Sequence, residues 1–425
     1  MTNRIRVGRH LAFPAFALAM LCALAVIATQ SAQAQTFNVI HYFTGGTDGG
    51  NPTAGVTVAG PGILYGTEIG GHPDANGGVF KLTLRGSSWT LNPLHQFTRN
   101  PDGSGPVAGV VFGPNGALYG TTADGGVGNA GFGQGTVFEV QPPANACKTA
   151  ICYWNETVLH AFAGGTSDGA FPQYGNVVFD QAGNMYGTTS ADGTLGFGNV
   201  WELTPSAGGW TETILYNFTG GADGRSPYSG VTLDAAGNLY GVTPEGGSGT
   251  GTLYQLVPSN GGWTENTLVQ FNGTKGIHPY GTLIKDAIGN FYGTARDNGP
   301  NGGGTVFELS PANGGGWNFS LVYAFSSCSP QAGVTLGPDG DLYGACQLGG
   351  TNQFGWIFRM PLTCNQSCTP NDLHDFNYTE GASPMGPVSF DASGNMYGTT
   401  IGGGLGGCMG TGPGGCGLVW EITPQ

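Results

Sequence analysis

The sequence predicts an all-β protein: a seven-bladed β-propeller of four-stranded blades, with the ring closed by the N-terminal strand pairing with the last blade. Three observations carry this prediction: a motif that recurs seven times, four β-type segments per repeat, and a strand-like segment displaced to the start of the chain. Gly accounts for 82 of 425 residues and aromatic residues for 11%. That combination is typical of short strands joined by tight turns and not of a disordered chain.

The recurring motif is an apolar residue followed by Tyr and Gly. Its tyrosines lie 51–54 residues apart, except for one step of 67 residues that contains an insertion. A unit of about 50 residues, used seven times, is typical of a propeller. The seven tyrosines are Tyr65, Tyr119, Tyr186, Tyr240, Tyr292, Tyr343 and Tyr397.

Each repeat holds four β-type segments, which in the unit around Tyr240 are residues 230–234, 238–243, 251–256 and 263–271. They are rich in β-branched and aromatic residues and are bounded by Gly, Asn or Pro, the pattern of short strands. The third segment carries an aromatic residue in every unit and the fourth ends in Phe. We therefore expect each blade to be buried on both faces by its neighbours. The terminal residues of the fourth segments are Phe43, Phe97, Phe162, Phe218, Phe271, Phe325 and Phe376.

One segment is out of order. Residues 37–43 have the character of a fourth strand but precede every first strand, and the chain ends after a third-type segment at 417–422. The last blade therefore lacks its outer strand, and the N-terminus has one to spare. Pairing the two segments would cover a bare sheet edge and close the ring.

The first 34 residues have the pattern of a secretory signal. Three arginines precede an apolar stretch over 11–28, and an Ala-Gln-Ala cleavage pattern ends at Ala34. We therefore predict a mature chain of residues 35–425 that forms one propeller domain, secreted or periplasmic and monomeric. No second apolar run is long enough to span a membrane.

The charge of the mature chain argues against nucleic acid as a partner. The signal removes three of the 12 basic residues and none of the 26 acidic ones, which leaves nine against 26, a net charge of −17. Phosphate backbones need Lys and Arg, whereas an acidic surface suits cations or basic partners.

Eight of the nine cysteines lie outside the signal and fall into neighbouring pairs. An even number of cysteines in an exported chain indicates disulfides. Cys364 and Cys368 could also form half of a zinc site, but no second Cys or His pair lies beside them. The expected disulfides are Cys147–Cys152, Cys328–Cys346, Cys364–Cys368 and Cys408–Cys416.

The segments Leu-Tyr-Gly-Thr-Thr, Gly-Thr-Val-Phe-Glu-Leu, Trp-x-Glu-Thr and Phe-Thr-Gly-Gly-x-Asp-Gly resemble the tandem repeat of the GloVer-containing proteins. That family consists of exported bacterial proteins with varied surface anchors, often called "choice-of-anchor" proteins. The resemblance covers residues 37–422 and implies an exported bacterial repeat protein with no particular activity. The chain carries no C-terminal sorting signal, which favours a soluble form.

In such a propeller, two sets of links lie on one face: those from the fourth strand to the next first strand, and those from the second strand to the third. We expect function on this face, because loops on a rigid scaffold carry it. Its acidic residues predict a surface for a cationic partner or oxygen ligands for Ca²⁺. Alternatively, each Asp-Gly only shapes its own turn. The candidate binding residues are Asp48, Asp102, Asp168, Asp223, Glu380, Asp124, Asp192 and Glu245.

No residue is assigned a catalytic role. One repeat position is His in four units but Val269 in another, so we interpret these histidines as packing residues. His72 and His278 lie outside that register, without a Cys, Ser or carboxylate partner at motif spacing. Tryptophans that open the outer strands could stack on sugars, but their register favours blade packing. The in-register residues are His41, His95, His160 and His374, and the tryptophans are Trp89, Trp154, Trp210, Trp263 and Trp317.

The leading hypothesis is an exported, non-enzymatic scaffold that binds a glycan or a protein on the acidic face. The alternatives are a carbohydrate-active hydrolase or lyase, and a purely structural cell-surface repeat. An acid pair outside the repeat register would favour the enzyme, but none stands out. We expect no cofactor other than, at most, Ca²⁺.

Overall fold

The computed structural model describes residues 35–70, 76–127, 133–145, 152–405, 407–408 and 414–424. The first half of this described chain contains β1 (Thr36–Tyr42), β2 (Thr57–Gly60), β3 (Ile63–Glu68), β4 (Gly78–Arg85), β5 (Ser88–Gln96), β6 (Val111–Phe112), β7 (Leu118–Thr122), β8 (Thr136–Gln141), β9 (Asn155–Ala161), β10 (Gly169–Ala170), β11 (Val178–Phe179), β12 (Met185–Thr189), β13 (Ala191–Asp192), β14 (Asn199–Ser206) and β15 (Gly209–Asn217).

The second half contains β16 (Thr232–Leu233), β17 (Leu239–Thr243), β18 (Thr252–Ser259), β19 (Gly262–Gln270), β20 (Ile284–Lys285), β21 (Phe291–Ala295), β22 (Thr305–Pro311), β23 (Trp317–Ala324), β24 (Thr335–Leu336), β25 (Leu342–Cys346), β26 (Trp356–Met360), β27 (Asn371–Asp375), β28 (Ser389–Phe390), β29 (Met396–Thr400) and β30 (Leu418–Thr423). Two 3₁₀ turns, Leu362–Cys364 and Tyr378–Glu380, are the helical elements of the described residues. Neither they nor any other described segment forms a helix that could cross a membrane.

Of these 30 strands, 28 form seven antiparallel, four-stranded sheets, the blades of a propeller, and β10 and β13 pair with each other. From the first to the outermost strand, blades 1 to 7 are β2-β3-β4-β5, β6-β7-β8-β9, β11-β12-β14-β15, β16-β17-β18-β19, β20-β21-β22-β23, β24-β25-β26-β27 and β28-β29-β30-β1. The N-terminal strand is thus the outer strand of blade 7, and Phe43 N–H donates to the Gly417 carbonyl at 3.1 Å. The predicted fold class and ring closure are confirmed.

Hydroxyl groups on the first strands of blades 1, 4, 6 and 7 tie these blades to the next. In blade 6 the Thr335 hydroxyl donates to the Val388 carbonyl of blade 7 at 2.8 Å. Blade 7 makes the same bond to blade 1, from Ser389 to the Val56 carbonyl at 2.6 Å. The ring is therefore closed near its axis by side chains as well as at its rim by β1.

The Gly of the repeated motif makes room for the aromatic residue of the third strand. Gly187 pairs with Trp201 across β12 and β14, and a Cβ at Gly187 would lie 2.2 Å from Trp201 Cζ2. Trp201 is fully buried, so the ring has nowhere to move. The same contact recurs in each blade, between Gly66 and Phe80, Gly120 and Phe138, Gly187 and Trp201, Gly241 and Tyr254, Gly293 and Phe307, Gly344 and Phe358, and Gly398 and Trp420.

The Tyr of the motif packs against the next blade. The ring of Tyr119 lies 6.4 Å from that of Trp210, and the ring of Tyr240 lies 5.6 Å from that of Trp317. The outer-strand tryptophans are therefore part of the blade interfaces, as their register predicts, and are not a sugar-stacking surface.

Three disulfides are present among the described residues. They join Cys328 to Cys346, Cys364 to Cys368 and Cys408 to Cys416, which are three of the pairings expected from the sequence. Cys147 lies outside the described residues, so its pairing with Cys152 stays a prediction.

Candidate functional site

Both predicted sets of links lie on one face of the ring, which we call the link face. In six places a fourth-to-first link forms a short antiparallel bridge with the second-to-third link of the blade that follows. The bridges join Gly50 to Gly70, Ser104 to Asp124, Gly169 to Asp192, Arg225 to Glu245, Ile277 to Asp297, and Ala382 to Gly402.

The aspartates of the fourth-to-first links point at the links' own donors. Asp102 accepts hydrogen bonds from the Thr98 N–H at 3.0 Å and the Thr98 hydroxyl at 2.7 Å, and it lies 3.1 Å from His95 Nε2. Burial opposes ionisation, but these hydrogen bonds outweigh it and hold the pKa of Asp102 below its usual value. Backbone N–H groups bind the equivalent carboxylates of Asp48, Asp168 and Asp223 at 3.0, 2.7 and 2.7 Å. These contacts support the turn-shaping interpretation, and a role in binding Ca²⁺ or a partner stays a prediction.

The other candidate acids have separate surroundings. Asp192 accepts from the Gly165 N–H at 3.0 Å, Glu380 is hydrogen-bonded by the Asn377 amide, and Asp124 is exposed. Glu245 differs from them. It forms an ion pair with Arg225, and its negative charge adds to the effect of burial in raising the pKa of Tyr228. The structure therefore does not gather the predicted acids into one site.

A central channel with a cavity of about 590 Å³ opens where the first strands begin. Residues in these strands and just before them form much of its wall, among them Val56, Val334 and Val388. A buried apolar residue stands directly before each first strand. The residue three positions earlier is at the end of a link, which places it at the mouth of the channel on the link face. Six of these mouth residues line the cavity: Thr53, Val107, Tyr174, Tyr280, Gln331 and Met385. Tyr228 holds the same register position in blade 4, and its ring lies between those of Tyr174 and Tyr280.

Three consecutive blades place a tyrosine at the mouth, and we call Tyr174, Tyr228 and Tyr280 the tyrosine arc. The ring centroids of Tyr174 and Tyr228 are 6.5 Å apart, and those of Tyr228 and Tyr280 are 5.6 Å apart. Tyr174 is 38% exposed and the others are half-buried. Burial raises the pKa of all three hydroxyls, so they stay protonated and can donate hydrogen bonds.

Ion pairs flank the arc. The Arg296 guanidinium lies 4.8 Å from the centroid of the Tyr280 ring, and its Nε is 2.7 Å from Asp297. The same carboxylate oxygen lies 3.1 Å from His278 Nδ1. His278 therefore has a carboxylate partner in space that its sequence spacing does not reveal, while His72 lies outside the described residues.

The tyrosine arc was not predicted from the sequence, because it contains no acid, no histidine and no known catalytic or binding motif. The available signal was a departure from the repeat: one register position is Tyr in blades 3, 4 and 5, and Thr, Val, Gln or Met elsewhere. A change confined to neighbouring blades marks a local surface, whereas residues kept in all blades serve packing.

A second group of titratable side chains lies between blades 2 and 3. His160 Nε2 is 3.5 Å from Asp168 and 3.6 Å from Glu212, and ligand atoms of these three residues lie within 4.8 Å of one another, close enough to share a metal ion. Burial raises the pKa of Glu212 to about 7. The favourable charge of His160 opposes this rise, and the nearby carboxylate of Asp168 adds to it. In contrast, His374 stacks on Phe37 at 3.5 Å, and burial lowers its pKa to about 4.

This group predicts a pH-dependent stability. The pKa of Glu212 in the folded protein lies above its usual 4.5. The contribution of Glu212 to the free energy of unfolding is therefore fully present below pH 4.5 and is lost as the pH rises through about 7. Between pH 5 and pH 8 we expect the wild type to lose about 1–2 kcal/mol more unfolding free energy than Glu212→Gln, measured by urea denaturation. Glu308→Gln is the control, because the described hydrogen bonds of Glu308 come from the hydroxyls of Tyr292 and Ser320 and not from a histidine. Parallel pH profiles for wild type and Glu212→Gln would refute the prediction.

Seven four-stranded blades around an open channel, with both sets of links framing one mouth, define the class of this protein as a β-propeller. The chain belongs to the Gloeobacter/Verrucomicrobia repeat family, which matches residues 25–153 and 132–329, more than half of its length. The family resemblance of the repeat is confirmed. No curated protein matches the sequence.

Solved structures share the fold at low identity. A putative 6-phosphogluconolactonase from Bacteroides uniformis is 15% identical with a TM-score of 0.50, over 76% of this chain and 84% of its own. An ulvan lyase bound to its saccharide is 10% identical with a TM-score of 0.46, over 91% and 95% of the two chains. A gluconolactonase from Xanthomonas campestris is 11% identical with a TM-score of 0.43, over 94% and 92%. At 15% identity, the likeness to the putative 6-phosphogluconolactonase shows the propeller fold alone.

Proposed function

We propose that this protein is an exported binding propeller that holds a glycan at the mouth of its central channel. The observation that carries the proposal is the tyrosine arc, three aromatic rings supplied by consecutive blades at one register position. Pyranose rings present C–H faces that pack on aromatic faces, and their rims carry hydroxyls that exchange hydrogen bonds with the tyrosine O–H groups. Apolar faces with a few converging polar groups are the usual composition of a binding site.

The arc is held in a fixed position before any ligand arrives. Tyr228 and Tyr280 each follow a proline directly and precede a first strand by a few residues. Beside them, the Asn176 side chain lines the channel and accepts a hydrogen bond from the Gly109 N–H of blade 2 at 2.9 Å. A rigid surface loses little conformational entropy when it binds, which favours affinity.

Export is part of the same proposal. Disulfides form and persist in oxidising compartments, and three are present in the described residues. They agree with a signal over residues 1–34 and a mature propeller domain of residues 35–425. We assign no catalytic step, since the carboxylates beside the arc, Glu245 and Asp297, are both held in ion pairs with arginines.

The test is glycan binding by the mature chain, first on an array and then by calorimetry with the best soluble oligosaccharide. We expect Tyr228→Ala to weaken binding at least about tenfold, the equivalent of about 1.4 kcal/mol, because it removes the central ring of the arc. Tyr153→Ala is the matched control, since Tyr153 is 48% exposed and lies on the outer side of blade 2, away from the channel mouth. Thermal melts of both variants verify folding.

Two results would overturn the proposal: no glycan bound by the wild type, or equal affinities of the wild type and Tyr228→Ala. Release of reducing sugar from mixed polysaccharides would instead establish the hydrolase or lyase alternative.

A further inference from the structure

Two of the arginines that remain after removal of the signal border the tyrosine arc. Arg225 lies in the link that leads into blade 4, and Arg296 lies in the second-to-third link of blade 5, with its guanidinium over the Tyr280 ring. The predicted mature chain has only nine basic residues against 26 acidic ones. Two arginines at one mouth, each paired with one carboxylate, therefore make this part of the surface less acidic than the chain as a whole.

Both guanidinium groups are oriented by a carboxylate through Nε. Arg225 Nε lies 2.8 Å from Glu245, and Arg296 Nε lies 2.7 Å from Asp297. A guanidinium has five N–H donors, and within the described residues the terminal nitrogens of both side chains have no hydrogen-bond partner. The side chains are 46% and 31% exposed, so these donors are open to a ligand.

The hydrogen-bond donors at the mouth indicate which chemical class of ligand the site favours. Asp297 already uses one oxygen for both Arg296 and His278, and the three tyrosine hydroxyls stay protonated. The terminal N–H groups of Arg225 and Arg296, about four on each guanidinium, are therefore donors that no described protein acceptor uses. Such a site favours a ligand rich in acceptor oxygens, and terminal guanidinium nitrogens bind planar oxyanions in pairs with charge-assisted hydrogen bonds.

We infer that the channel mouth is selective for an acidic glycan, whose sugar rings lie on the tyrosine arc while a carboxylate or sulfate group of the sugar binds Arg225 and Arg296. The inference rests on the proposed glycan-binding function and adds the chemical class of the ligand. The general acidity of the protein does not prevent this, because charges beyond about 8–10 Å are largely screened at physiological salt, whereas the two guanidinium groups act at contact distance.

The experiment compares three oligosaccharides of similar length with the wild-type mature chain by calorimetry: an oligogalacturonate for the carboxylate, a sulfated galactan fragment for the sulfate, and a neutral maltooligosaccharide. We expect at least one acidic ligand to bind tenfold or more tightly than the neutral one, with an affinity that falls as salt is raised. The double variant Arg225→Gln/Arg296→Gln should lose that preference, so that its affinities for the acidic and the neutral ligands become similar. Arg296→Lys, which keeps the charge and loses the planar pair of donors, should fall between them.

Arg359→Gln is the control, because Arg359 is paired with Asp339 and Asp341 at a first-to-second turn, on the face opposite the links. Equal affinity for acidic and neutral ligands, or an acidic preference kept in the double variant, would overturn the inference. In either case, loss of binding in Tyr228→Ala would leave the glycan-binding proposal standing. If none of the three ligands nor any array glycan binds, both the inference and the proposed function fail.

Discussion

Removal of the N-terminal strand is expected to abolish cooperative folding of the whole ring. A chain that begins at Thr44 leaves the backbone edge of β30 unpaired and takes Phe43 out of its cluster with Val56 and Phe80. Loss of one fully buried Phe side chain costs about 3–5 kcal/mol, a large part of the 5–15 kcal/mol typical of a domain. The bare edge also invites pairing between chains. We therefore expect aggregation and no sharp thermal transition, measured by circular dichroism and size-exclusion chromatography.

Point variants separate the loss of the strand from the loss of one ring. Phe43 and Phe218 are both fully buried at the ends of outer strands, but the outer strand of Phe218 is continuous with its own blade. Phe43→Ala and Phe218→Ala should both fold, with similarly lowered stability. Addition of a synthetic peptide of residues 35–43 should restore a sharp transition to the truncated chain. A truncated chain that melts cooperatively at the wild-type temperature would show that β1 does not hold the ring closed.

Gly187→Ala is expected to lower the free energy of unfolding by about 3 kcal/mol. The new methyl group would lie 2.2 Å from Trp201 Cζ2, and overpacking of a buried ring that cannot move forces shifts of side chains and backbone. Gly187 lies within β12 and is not among the glycines with positive φ, so the effect comes from the Cβ and not from backbone strain. Urea denaturation of the mature chain measures it.

Gly208→Ala is the matched control in the same blade, because a Cβ there meets nothing within 4 Å and its φ is not positive. Its stability should lie within about 0.5 kcal/mol of the wild type. Combining Gly187→Ala with Trp201→Leu should cost less than the sum of the two single changes, since the smaller side chain leaves space for the methyl group. Additive costs would contradict the proposed clash.

Two features, one in blade 3 and one in blade 5, show how much of the structure could be predicted from the sequence. The pairing of Gly187 with Trp201 follows a pattern repeated in each unit, so both its register and its burial could be predicted from periodicity. The partnership of His278 with Asp297 could not, because their 19-residue separation matches no catalytic motif and the two residues meet only where two links cross on the link face. The acids of the links could be predicted from their positions in the repeat, but the inward direction of their side chains, seen at Asp102, depends on donors that the folded link supplies.

The sequence by itself determined the blades, their number and the closing strand, because each depends on a local pattern of apolar, aromatic and turn residues that recurs along the chain. Only the tertiary structure decided where a ligand could bind. Tyr174, Tyr228 and Tyr280 are 54 and 52 residues apart, yet their rings are 6.5 and 5.6 Å from one another. A closed ring brings equal register positions of adjacent blades side by side around one axis, and that distance is a property of the packed blades and not of any one repeat.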